Sequence, residues 1–148
     1  MNVFEAINSR RSYRGKFKDA PVPREDLVKI MEAGLAAPSG CNKQTTSLIA
    51  VDDPEVLAKL KGVINPPIAQ TAPAAICVLT RRINAYRDKC FAVQDYSAAI
   101  QNMLLAIVEL AIRAAGTKVT LLMMTALQMS WQRSSAFLKN TISYVSYP

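Results

Sequence analysis

The segment from residue 92 to about residue 115 constrains the fold most, because it predicts one long apolar helix. Ala98, Ala99 and Ala106 give this helix small side chains, which allow a partner helix to approach closely. We therefore expect the helix to lie in a core or in a subunit interface. Its most apolar part, Met103–Ile112, is interrupted by one acid and is shorter than the roughly 20 residues of a membrane span. The sequence thus predicts no membrane segment.

The other predicted elements are helices that alternate with two short buried strands. Asn2 predicts an N-cap, and Pro38 predicts a helix end because the residue before a proline disfavours helical geometry. In chain order we predict a short helix after Asn2, a helix over 24–37, a strand over 47–51, a helix over 55–64 and a strand over 74–79. This alternation, in a chain of 148 residues, predicts one domain with a layered α/β or α+β fold.

Several catalytic and metal-binding classes are excluded because the chain contains no histidine. Ser-His-Asp and Cys-His catalysis, histidine-bound zinc and imidazole bases all need that side chain. Asp52, Asp53 and Glu55 could hold a metal, but Pro54 starts a predicted helix there, so helix capping is the interpretation we prefer. We predict no metal site. Three cysteines without CxxC spacing, and no N-terminal signal segment, predict reduced thiols in a cytoplasmic protein.

Charge is divided unevenly along the chain, whose net charge is +7. All 11 acidic residues precede residue 111, whereas four of the 18 basic residues follow it. A basic tail can indicate binding to nucleic acid or to a membrane surface. Because these four residues are scattered, we do not favour nucleic acid as a partner. A non-enzymatic module that binds a polyanion stays the alternative function.

Two short segments are candidates for ligand binding. The first, RRSYR at residues 10–14, places three guanidiniums and two hydroxyls just after a helix, and arginine binds phosphate through planar, bidentate donors. The second, residues 37–44, can present neutral donors and acceptors to a heteroaromatic edge, and Gly40 permits close backbone approach. Taken alone, each is better explained as an ordinary connection. A third segment, Asp95–Asn102, fits a core or interface better than a site.

Taken in order, four segments resemble the FMN-dependent nitroreductase family. They are the opening helix with RRSYR, the loop AAPSGCNKQ, the strand APAAICVL and the helix DYSAAIQNMLLAIVELA. Each motif is weak alone, but their order and spacing over residues 1–110 are fairly specific. The resemblance implies an α+β fold of the nitroreductase type. That fold has three α/β/α layers and a mixed sheet, whose C-terminal part is here incomplete or aberrant.

The resemblance also implies how the cofactor FMN is bound. The basic segment would surround the flavin phosphate, ribityl chain and pyrimidine edge with Arg10, Arg11, Ser12 and Arg14. The loop would contact the flavin across a homodimer interface with Pro38, Ser39, Asn42 and Gln44. After Gln44, however, two threonines replace the usual proline and aromatic residue, so the substrate-side wall differs.

The same resemblance implies a reaction that needs no catalytic side chain. In the family, hydride passes from NAD(P)H to the flavin and then to a nitro compound, a quinone or a similar small acceptor. Positive charge near the pyrimidine edge favours the anionic reduced flavin. A chain without histidine agrees with this chemistry, and we assign no catalytic residue.

The resemblance ends after Leu110. The family continues with a Gly-aromatic strand entry, an acidic helix and an LP-x-G strand that completes the flavin site, and residues 111–148 lack all three. Our hypothesis is that these residues are the family's C-terminal half read one nucleotide out of frame. In that frame Met123-Met124-Thr125 forces two successive aspartates, and a family-like continuation is compatible with every position. The alternative is a divergent, genuinely basic tail.

Two regions of one domain follow from this comparison. Residues 1–110 would be the N-terminal part of an FMN-binding domain, and residues 111–148 a basic tail, helical around Leu121–Leu138 by composition. We expect the chain as written to bind FMN weakly or not at all, to dimerise poorly and to be impaired or inactive as a reductase.

Overall fold

The structure is a computed structural model that describes residues 1–63, 67–115 and 143–145. In chain order the elements are α1 (Val3–Ser9), α2 (Arg24–Leu35), β1 (Thr46–Val51), α3 (Pro54–Lys61), β2 (Ala75–Thr80), α4 (Ala92–Glu109) and β3 (Ser143–Val145). Two 3₁₀ turns, Gly40–Asn42 and Pro67–Thr71, lie in the connections. The helix predicted around residues 121–138 falls outside the described residues.

Local side-chain caps explain where α1 and α3 begin. The Asn2 side chain accepts a hydrogen bond from the Glu5 amide at 2.9 Å, and the Glu5 carboxylate accepts one from the Asn2 amide at 3.0 Å. Asp53 caps α3 by accepting from the amides of Glu55 and Val56, both at 3.0 Å. The N-cap at Asn2 and the capping role of the acidic segment are therefore confirmed. Within the described ranges no group of three or more residues could hold a metal ion.

The end of α4 differs from the prediction, since the helix stops at Glu109 rather than near residue 115. The Ala111 amide bonds to the Val108 carbonyl and the Ile112 amide to the Ile107 carbonyl, both at 3.0 Å. Ala111 itself has a φ of 55°. This is the Schellman pattern that closes many helices, in which a left-handed residue follows the last turn. Composition alone could not reveal it, because an alanine occupies the position where glycine is usual.

The sheet has the strand order β2-β1-β3, and both pairings are antiparallel. Thr46 lies opposite Thr80 and Val51 opposite Ala75, while the central strand also pairs Ala50 with Ser143. The α+β class is confirmed. A mixed sheet would need a parallel pair, and the described strands include none.

The side chains of β1 point alternately to the two faces of the sheet, and each face packs against helices. Leu48 and Ala50 belong to the larger apolar cluster with residues of α2 and α4, whereas Ile49 and Val51 belong to a second cluster with residues of α3. Because successive strand side chains point to opposite faces, α2 and α4 cover one face of the sheet and α3 the other. The predicted buried strands thus supply both cores. None of the helices that the structure describes is long and apolar enough to cross a bilayer.

Candidate functional site

The basic segment lies between α1 and α2 and is mostly exposed. Arg11 donates from Nη1 to the carbonyls of Asn8 and Arg10, both at 2.7 Å, and Arg14 donates to the Tyr13 carbonyl at 3.2 Å. In the described residues neither these arginines nor Arg10 forms an ion pair. Their charges therefore have no acidic partner in the described part of the chain.

Aromatic and backbone contacts hold this segment in place. The Tyr13 amide bonds to the Ala114 carbonyl at 3.0 Å, just beyond α4. The Tyr13 hydroxyl donates to the Lys16 carbonyl at 2.8 Å, and its ring lies 5.0 Å from that of Phe17. Ser12 is exposed next to these contacts. The end of the segment is thus tied to the C-terminal side of the long helix.

The loop between α2 and β1 has an unusual backbone. Cys41, Asn42 and Gln44 have φ values of 52°, 51° and 47°. Left-handed backbone costs a non-glycine residue about 1–2 kcal/mol, and such strain persists only where the surroundings enforce it. The Ser39 hydroxyl oxygen accepts from the Gln44 amide at 2.9 Å, which closes the loop on itself. Asn42 and Pro38 are exposed at its surface.

Asp95 of α4 is hydrogen-bonded to both ends of this loop. It is only 4% exposed; Oδ1 accepts from the Gly40 amide at 2.8 Å and Oδ2 from the Thr45 hydroxyl at 2.6 Å. A Cβ at Gly40 would clash with the Phe91 side chain, so packing against this ring requires glycine here. The close approach of Gly40 to a bound ring stays a prediction. One buried carboxylate therefore joins the beginning and the end of the loop to the first turn of the long helix.

A surface cleft of about 530 Å³ opens beside the loop. Pro38, Ser39 and Cys41 line one side, while Tyr86 and Phe91 from the connection before α4 line the other. This volume lies within the roughly 300–1,000 Å³ typical of small-molecule sites. Concave shape, an aromatic wall and a few polar groups are the usual properties of such a site.

The eight predicted contact residues fall into two groups in the structure. Among the described residues no hydrogen bond or ion pair joins the basic segment to the loop. Sequence reasoning missed Thr45, Tyr86 and Phe91, and it assigned Asp95 to a core or interface. An acid in the first turn of an otherwise apolar helix was the available signal for Asp95. The two aromatic residues stand in a connection without periodicity, so no spacing identified them.

Among the cysteines, Cys77 of β2 is the one that burial makes unreactive. Desolvation raises the pKa of its thiol to about 11, so the thiolate is scarce at neutral pH. Cys41 is exposed on the loop. Of these two thiols, Cys41 is the one that lines the cleft.

In sequence comparisons, this chain is similar to nitroreductases and to related NAD(P)H-dependent oxidoreductases. Residues 7–66 match the model of the Nitroreductase family. A Methanothermobacter thermautotrophicus protein described as an NADH dehydrogenase/NAD(P)H nitroreductase is 38% identical over 121 residues, which span 80% of this chain and 62% of that protein. A Staphylococcus epidermidis NADPH-dependent oxidoreductase is 40% identical over 65 residues, 44% of this chain and 26% of that protein. The chain thus spans less than two thirds of these relatives.

Solved structures share the fold. An FMN complex of a Desulfovibrio desulfuricans protein described as a nitroreductase has a TM-score of 0.71 and 29% identity, over 97% of this chain and 81% of that one. A BluB-like flavoprotein from Clostridium difficile has a TM-score of 0.74 at 22% identity, over 99% and 87%. The first structure contains bound FMN, and the second supports the fold alone.

Proposed function

We propose that residues 1–110, within which residues 7–66 match the Nitroreductase family model, form the N-terminal part of a flavin oxidoreductase that binds FMN and uses NAD(P)H. The observation that carries the proposal is the strained loop, which Asp95 fixes and which opens on the cleft. Relatives of this chain are named as NAD(P)H or NADPH-dependent enzymes, and a solved structure with the same fold contains bound FMN. Nitro compounds, quinones and similar molecules are the acceptors we propose.

The basic segment fits the anionic end of FMN. Its guanidiniums carry positive charge without acidic partners in the described residues, so a phosphate would not compete with an internal ion pair. In this proposal Arg10, Arg11, Ser12 and Arg14 hold the phosphate, the ribityl chain and the pyrimidine edge. Arginine charge near that edge also favours an anionic reduced ring.

The loop fits the ring end from a second subunit. Pro38, Ser39 and Asn42 lie at or near the surface, and the hydrogen bond from the Gln44 amide to Ser39 leaves the Ser39 hydroxyl proton free to donate. When bound, FMN would accept hydride from NAD(P)H and deliver it to the acceptor. The chain's own residues would bind and orient the reactants, and the proton that the acceptor takes up with each hydride would come from solvent, so no side chain is assigned to proton transfer.

A homodimer would also explain the exposed apolar side chains of α1. Phe4 is 73% exposed, and Val3 and Ile7 are exposed on the same short helix. Val93 is exposed at the start of α4. Apolar surface of this kind marks protein contacts. A second copy of the chain would cover it and would bring the loop of one subunit to the basic segment of the other.

Titration with FMN tests the phosphate assignment. Arg10→Ala or Arg14→Ala should weaken FMN binding by about 2 kcal/mol, roughly 30-fold, because each removes a charge-assisted partner of the phosphate. Quenching of flavin fluorescence measures the dissociation constant, and the variants are made in a chain whose reading frame is restored after residue 110, because we expect the chain as written to bind FMN weakly. Lys18→Ala is the matched control, since it removes an exposed charge outside the motif. Unchanged affinity in both arginine variants would remove the basic segment from the flavin site.

A polyanion-binding module is the second candidate, supported by the same unpaired arginines. Colour separates the two functions. A flavin enzyme whose reading frame is restored after residue 110 should be purified yellow, with flavin absorbance that stays with the protein on gel filtration. A polyanion-binding module should stay colourless and should lose nucleic-acid affinity steeply as salt rises.

A further inference from the structure

The connection between β2 and α4, residues 81–90, carries a concentration of positive charge beside the cleft. Arg81, Arg82, Arg87 and Lys89 are exposed, and Asp88 is the one acid among them. Of the ion pairs among the described residues, none involves these four cations. The connection therefore has a net charge that its own surroundings do not neutralise. We call it the cationic turn.

A short hairpin fixes the tip of the cationic turn. The Lys89 amide bonds to the Tyr86 carbonyl at 2.9 Å, and the Ala85 amide bonds to the Lys89 carbonyl at 2.9 Å. Arg87, at the tip, has a φ of 53°. A bulky residue in this left-handed region costs about 1–2 kcal/mol, and such strain is concentrated at functional positions. The Arg87 side chain is also held, because its guanidinium lies 5.2 Å from the centre of the Tyr86 ring.

Tyr86 connects this arginine to the cleft, since the same ring lines the aromatic wall with Phe91. The one carboxylate that lines the cleft belongs to Asp95, whose two oxygens already accept from Gly40 and Thr45. Two aromatic residues thus line the cleft, and the Arg87 guanidinium lies near the ring of one of them.

From this geometry we infer that the cleft prefers an aromatic electron acceptor that carries an anionic group, and that Arg87 is the specificity-determining residue that binds that group. The inference rests on the proposed oxidoreductase function and names its substrate class. An aromatic ring would stack beside Tyr86 and Phe91 while a carboxylate, sulfonate or phosphate met the guanidinium. Because Arg87 is exposed, we expect it to contribute to the binding free energy only as much as a surface ion pair does, which is less than a buried pair can contribute.

Equilibrium dialysis with two probes of nearly equal shape tests the preference. In the full chain, 4-nitrobenzoate should bind about three- to fivefold more tightly than neutral 4-nitrobenzamide, as expected for one exposed charge pair. Arg87→Gln should reduce this ratio to about one, and Arg87→Lys should retain most of it. Arg24→Gln, which removes an exposed charge at the start of α2, should leave the ratio unchanged. Raising the salt concentration should also reduce the ratio.

The outcomes separate this inference from the proposed function. The dialysis is carried out with and without added FMN, and the inference stands if the ratio depends on Arg87 in either sample. Absence of FMN binding in a chain whose reading frame is restored after residue 110 would overturn the oxidoreductase proposal without changing that ratio. Equal binding of the two probes by the parent chain would overturn the inference. It would also be overturned if Arg87→Gln weakened both probes equally, or if it weakened NADPH relative to NADH without changing the probe ratio.

Discussion

At the scale of single residues, Asp95 contributes most to the shape of the candidate site. Its carboxylate is buried and satisfies the Gly40 amide and the Thr45 hydroxyl, which are separated by the strained part of the loop. Asp95→Ala would leave the buried Thr45 hydroxyl and the partly buried Gly40 amide without this partner, and each buried unpaired group costs about 1–3 kcal/mol. We therefore expect a loss of about 3 kcal/mol in the free energy of unfolding, measured by urea denaturation.

Two further variants test whether the expected loss of stability comes from the hydrogen bonds between Asp95 and the loop. Thr45→Val removes one of the two hydrogen bonds and should cost about half as much. Ser97→Ala changes an exposed side chain on the same helix and should stay within about 0.5 kcal/mol of the parent. Equal stability of Asp95→Ala and Ser97→Ala would show that the carboxylate does not hold the loop.

At the scale of elements, the contact between α2 and α4 depends on one glycine. A Cβ at Gly34 would lie 2.8 Å from Met103 Cγ and 2.9 Å from Leu48 Cδ1, and both neighbours are buried. Asn102 strengthens the same contact by donating to the Ala33 carbonyl at 3.1 Å. Gly34→Ala should therefore overpack the core and lower the free energy of unfolding by about 1–3 kcal/mol.

Gly62 provides the matched control for this prediction. A Cβ there would meet only the Lys59 and Ala58 carbonyl oxygens, at 3.4 and 3.7 Å, and the residue has a φ of −62° that alanine adopts freely. Gly62→Ala should be neutral or stabilising by up to about 1 kcal/mol, because it restricts the unfolded chain. Chemical denaturation of both variants decides the matter. A similar change in both would mean that helix propensity and not packing controls position 34.

The end of α4 supplies a second prediction at this scale. Ala111 adopts the left-handed conformation at the position where a Schellman ending favours glycine. Ala111→Gly should raise the free energy of unfolding by about 1 kcal/mol, since glycine has no Cβ to clash in this conformation. Thermal or urea unfolding of the full chain measures the change. A destabilised variant would indicate that the left-handed turn does not form in solution.

How far the sequence predicted these elements depends on where the determining interactions lie. The caps at Asn2 and Asp53 and the strands β1 and β2 depend on neighbouring residues, and the patterns located each to within a residue or two. The basic segment and the loop were recognised by resemblance, and their roles as flavin contacts stay predictions. Asp95 and the aromatic wall depend on contacts between residues about fifty positions apart, and no local pattern reports such contacts.

At the scale of the whole molecule, the main question is why the residues after Leu110 differ so much from those before it. Every acid precedes it, the resemblance ends there, and a strained alanine follows it. In the proposed shifted frame a glycine can stand at position 111, and a glycine is what this helix ending favours. The geometry of α4 is therefore compatible with the proposal that residues 111–148 are an out-of-frame reading of the family's C-terminal half.

Restoring the reading frame is the decisive experiment on competence. We predict that the chain as written binds FMN weakly or not at all and has little reductase activity, because the LP-x-G strand that completes the flavin site is replaced. Each 1.4 kcal/mol of binding free energy that is lost weakens FMN binding tenfold. The fold can be destabilised as well, because the monomers of an obligate dimer are often not stable on their own.

Sequencing the coding DNA first establishes whether the shifted frame encodes a family-like continuation. The two chains are then compared for bound flavin, dimer content by sedimentation, and NAD(P)H oxidation. Equality in all three would mean that residues 111–148 are a functional basic tail, and the frame proposal would have to be abandoned.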